Sequence, residues 1–114
     1  MVSIVAGRRD RRIRIEQPLK QRTDRGAETV TWVPYGPKAW AEIAPLRGNE
    51  SIEAQALQAR FDTTIRTLFI EGVRTEMRIV ATDTGQIYDI RHVAEIGRRD
   101  GLEIQCTARE DDEV

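Results

Sequence analysis

What most constrains this chain is a two-residue alternation of apolar and polar side chains that recurs along most of its length. Successive side chains of a strand point to opposite faces, so alternation of this kind predicts half-buried β-strands. Ile13 and Ile15 against Arg14 and Glu16 make the first, and Pro18 is expected to end it. Thr29 to Val33 makes a second, stopped by Pro34, and Lys38 to Ala44 a third, closed by Pro45. From Phe61 to Phe69 one face carries Phe61, Ile65 and Phe69. Met77, Ile79 and Ala81 then alternate with Arg78, Val80 and Thr82. A turn over Asp83 to Gln86, with Gly85 able to take a positive φ, leads into a return strand from Ile87 to Val93. Leu102, Ile104, Cys106 and Ala108 form the apolar face of the last strand.

One stretch breaks the pattern. Between Leu46 and Arg60 the apolar residues Ile52, Ala56 and Ala59 follow helical spacing, Asn49 can cap the first turn, and Glu50 and Glu53 suit its dipole. A helix is therefore expected over about 49–60. The fold class that follows is mostly β: a small β-barrel or sandwich of six or seven strands with one inserted α-helix. The expected organisation is a flexible N-terminal arm over 1–11, one domain over 12–109 and an acidic tail over 110–114.

Charge narrows the functional classes. The 18 basic and 19 acidic residues give a net charge of −1, which argues against avid nucleic-acid binding. The signs are nevertheless segregated. Residues 8–14 are mostly arginine and residues 110–113 all acidic, which suits contacts between neighbouring copies or solvated ends alike. A single cysteine, Cys106, cannot close an internal disulfide, and no apolar run approaches the length of a membrane span.

Catalytic sets are poorly represented. His92 is the one histidine, and with Cys106 it does not make up a metal site or an acid–base dyad. No glycine-rich phosphate loop matches the dinucleotide or P-loop patterns. The reading is a non-enzymatic domain without a cofactor. Two other classes compete with it: a barrel that binds single-stranded nucleic acid, and a hydrolase built from distant carboxylates.

With so few aromatics, each should anchor something. Trp32, Trp40, Ile65 and Ile79 are expected as core anchors, with an interface role for the two tryptophans as the alternative. The inserted segment is the expected place for a ring interface, a partner or the channel, through Arg47, Asn49, Glu50, Glu53, Gln55 and Gln58. A helix that merely plugs one end of a barrel is the plainer reading of the same residues.

The order of these elements resembles the head-tail joining proteins of tailed phages, also described as head-closure or stopper proteins. Arg12-Ile13-Arg14-Ile15 with Gln17-Pro18 looks like that family's opening strand, followed by its Asp-x-Gly loop at Asp24-Arg25-Gly26. Thr31-Trp32 precedes Trp40-Ala41-Glu42-Ile43, similar to the family's Trp-Ala-x-Ile strand, and Pro45-Leu46-Arg47-Gly48-Asn49-Glu50 its lead into the helix. Met77-Arg78-Ile79, Ile87-Tyr88-Asp89-Ile90 and Leu102 to Cys106 resemble its closing strands. The chain departs at Glu71 to Glu76, where family members often carry a proline. The resemblance implies a virion protein of the neck, made in the bacterial host cytoplasm, that forms a homo-oligomeric ring below the portal and adaptor proteins. That ring would close the DNA channel, touch packaged DNA non-specifically and dock tail terminator or tail tube proteins, with no membrane partner.

Overall fold

The computed structural model describes residues 9–46 and 60–110. Seven strands account for most of them: β1 (Arg11–Arg22), β2 (Glu28–Pro34), β3 (Ala39–Pro45), β4 (Thr63–Leu68), β5 (Arg78–Ala81), β6 (Ile87–Ile96) and β7 (Gly101–Ala108). All pair antiparallel in one sheet of order β2-β1-β3-β4-β7-β6-β5, rather than in the two packed sheets of a sandwich. β5 also pairs with β1, placing Ile13 opposite Ala81 and Ile15 opposite Ile79. The pairings β1-β3-β4-β7-β6-β5-β1 thus form a circuit, with β2 attached outside it.

The core follows from the alternation. Ile13 and Ile15 of β1, Ala41 of β3, Ile65 of β4, Ile79 and Ala81 of β5, Ile90 of β6, and Leu102, Ile104 and Cys106 of β7 are buried together. Register fixes their company, since Ile65 sits opposite both Ile43 and Ile104. Thr63 and Thr67 share this inward phase, and the Thr67 Oγ1 hydroxyl donates to the Trp40 carbonyl at 3.0 Å, so its burial leaves no polar atom unmatched. Gly85 takes φ +78° in the β5–β6 turn and donates its amide to Ala81, in keeping with the expected turn.

One expectation about these elements needs correction, and another falls outside the described residues. Pro18 does not end β1, which continues to Arg22 with Pro18 opposite Trp32. Beyond Glu16, β1 pairs with β2 alone, and a strand open on one side tolerates a residue that cannot donate there. The inserted helix is not among the elements of the described residues, because 47–59 lie outside them and Arg60 alone of the expected span is included. Among the described residues no helix is long and apolar enough to cross a membrane.

Candidate assembly surface

Past Glu16, β1 and β2 leave the circuit as a two-stranded hairpin. Every residue from 19 to 31 is exposed, Leu19 at 45% and Val30 at 48% among them. A two-stranded hairpin with neither face covered has little stability of its own, so something must hold its root. The Glu16 carboxylate, only 6% exposed, does much of this. It accepts from Arg78 Nε at 2.7 Å on one oxygen and from Arg14 Nε at 2.8 Å on the other. The Arg78 guanidinium also lies 4.3 Å from the Trp32 ring centroid, tying β5 to β2 through a cation–π contact. Burial raises the Glu16 pKa, but the hydrogen bonds and charges of Arg78 and Arg14 outweigh it and hold the carboxyl below the ordinary glutamate value.

Tyr35 provides a second tie. Its amide donates to the Ile15 carbonyl at 2.7 Å, and its hydroxyl donates to the Glu71 carbonyl at 2.7 Å. Gly72 lies directly against that hydroxyl with φ +84°, so any side chain there would collide with Tyr35 in a backbone conformation that already favours glycine. The departure at Glu71 to Glu76 is therefore a loop shaped to receive Tyr35.

The outer face of the circuit carries a second exposed patch. Trp40 is 49% and Leu68 51% exposed, with the Arg12 guanidinium 4.9 Å from the Trp40 centroid. Beside them, Glu42, Arg66 and Glu103 form a charged row across β3, β4 and β7, with Arg66 donating to Glu42 at 3.1 Å and to Glu103 at 3.4 Å. Such partly exposed ion pairs contribute little to stability.

Ile65 and Ile79 are fully buried, whereas Trp32 is half-buried against Arg78 and Trp40 is not a core residue. The cause for Trp40 is its phase: it shares a face with Glu42, while Ala41 opposite Thr67 fills the inward position. Trp40→Ala is therefore expected to cost about 1 kcal/mol or less, the worth of an exposed cation–π contact, rather than the ~3–5 kcal/mol of a buried aromatic. Thermal melts of the variant check this. Arg47, Asn49, Glu50, Glu53, Gln55 and Gln58 lie outside the described residues. The Glu16–Arg78–Trp32 brace was not foreseen. Its one local signal is an acid two residues before Pro18, and its partner lies 62 residues further along the chain.

Reactive side chains are placed for packing. Burial, with Asp62 and Asp89 adding to it, pushes the Cys106 thiol up to about 12, so at neutral pH it lacks the thiolate a nucleophile needs. His92 is exposed beside a bulge in β6. Among the described residues no three His, Cys, Asp or Glu side chains are grouped to hold a metal ion.

The fold is thus an antiparallel β scaffold that carries a braced, solvent-exposed hairpin and an exposed Trp–Leu patch. The phage head completion protein family matches residues 4–109, and the chain belongs to that family. Its role is accordingly structural, in the head and neck of the virion. The fold is similar to the solution structure of protein SF1141 from Shigella flexneri 2a, at 22% identity and TM-score 0.73, over 96% of this chain and 100% of that one. It is also similar to a chain in the virion of a native gene transfer agent particle, at 22% identity and TM-score 0.56, over 89% of this chain and 93% of that one. A search of curated proteins finds no match.

Proposed function

We propose that copies of this chain form a ring at the neck, below the portal and adaptor, that closes the DNA channel and offers the tail its docking surface. In this reading the circuit of strands is a closed β-barrel, the rigid body of each copy. The observation that carries the proposal is the hairpin: thirteen consecutive exposed residues held rigidly at their root by Glu16, Arg78, Trp32 and Tyr35. The same brace that stabilises the hairpin in one copy also fixes how it projects, which suits a ring contact, because rigid elements lose less freedom on binding. The Trp40–Leu68 patch gives a second, different surface, and a ring uses two unlike patches per copy. The adaptor, tail terminator and tail tube contacts, and any contact with packaged DNA, belong to the same proposal.

Particles made without this chain test it. Heads are expected to package DNA, then lose it and fail to acquire tails. Full heads that join tails normally would contradict the proposal.

A further inference from the structure

β2 stands at the end of the strand order, so its outer edge has no partner among the described residues. Exposed edges invite pairing, and proteins usually guard them with proline, lysine or a bulge. The open side of β1 is guarded in this way, by Pro18 and Lys20. Glu28 and Pro34 stand at the two ends of β2, but from Thr29 to Val33 between them the edge has no such guard and reads Thr-Val-Thr-Trp-Val, dense in residues that favour strands. The hairpin face that includes Thr29, Thr31 and Val33 is completed by Gln21, Leu19 and Gln17 opposite them, and so carries no charge.

Charge is otherwise spread densely through this sequence, at 32% of residues. Only two stretches of seven or more residues lack Asp, Glu, Lys and Arg: residues 29–37, which contain the unguarded edge, and residues 1–7, Met-Val-Ser-Ile-Val-Ala-Gly. The second carries the β-branched Val2, Ile4 and Val5 and no charged side chain to desolvate, which suits addition to a neutral edge.

Chain geometry decides whose edge it can join. Gly7, the end of the run nearest β1, is two residues from Arg9 and so reaches within about 7 Å of it. Val33, the near end of the free edge, lies opposite Gln17. Arg9 to Gln17 is eight residues, about 26 Å at roughly 3.3 Å each. The run therefore cannot align with its own hairpin.

We infer that residues 1–7 of one copy add as a strand to the free β2 edge of the next. This rests on the ring reading and deepens it: each copy donates one strand and receives one, an unlike pair of surfaces that closes by rotation. Backbone hydrogen bonds supply the attraction, and the uncharged face supplies the fit.

The test uses particles assembled from a mixture of two populations, one with Val5→Cys or Ser3→Cys and the other with Thr31→Cys. The native Cys106 is buried and does not compete. Mild oxidation is expected to give a disulfide-linked pair containing one chain of each kind. A Thr31→Cys chain linked to its like would assign the edge to a two-fold β2–β2 pairing and overturn the inference. So would particles that carry the ring yet yield no mixed pair with either donor position. Hydrogen exchange in unsubstituted particles reads the same edge without cysteines. The outward amides of β2 are expected to exchange at least tenfold slower than in the isolated chain, and equal rates would overturn the inference. Absence of the chain from the neck would instead sink the ring reading itself.

Discussion

Glu16→Ala is expected to destabilise the fold by about 3–5 kcal/mol, the range for removing one partner of a buried ion pair. Two guanidinium groups converge on this carboxylate, and Arg78, whose side chain is only 15% exposed, would be left without it. The cost arises from the stranded charge, so replacing both partners together, Glu16→Leu with Arg78→Met, should recover much of the loss. A cycle of the two single variants and the double variant, followed by chemical denaturation, measures that coupling. The same pair sets a pH dependence. Because the Glu16 pKa is lowered on folding, its contribution is fully present above the ordinary glutamate range. It is lost as pH falls through the lowered folded value. Melting curves of the native chain and Glu16→Ala should therefore converge as the solution is acidified, and a constant gap would contradict this.

Ile65→Ala is the second large effect. Ile65 is fully buried and lies in register between Ile43 of β3 and Ile104 of β7, at the middle of the sheet. Three strands meet there and cannot collapse around a missing side chain, so the loss should be about 2–5 kcal/mol. Denaturant titration should show a lower midpoint with an unchanged slope, the mark of a weaker core with the same unfolding transition. A loss under about 1 kcal/mol would mean that the site relaxes, and that this part of the sheet is less rigid than its register implies.

The strands were legible because burial of one face imposes a period of two, and β7 shows it most cleanly in Leu102, Ile104 and Cys106. The size of Trp40 suggests the core, but its phase along β3 places it outside. Ile43 and Glu42 already set the faces of β3, and Trp40 falls with Glu42. Pro18 misled for a different reason: whether a proline ends a strand depends on whether its other side is paired, and that is a matter of topology. The brace at the hairpin root was out of reach of local pattern altogether. Glu16 and Arg78 meet through the β1–β5 pairing that completes the strand circuit. Local alternation thus located the core, while the braced hairpin emerged from long-range pairing.

Electron cryo-imaging of assembled particles tests the central claim most directly. The account predicts a closed ring of copies of this chain around the DNA channel at the head–tail junction, with the β1–β2 hairpin of each copy in contact with its neighbour. Particles whose neck lacks this chain, or holds it as isolated copies with solvent-exposed hairpins, would contradict it.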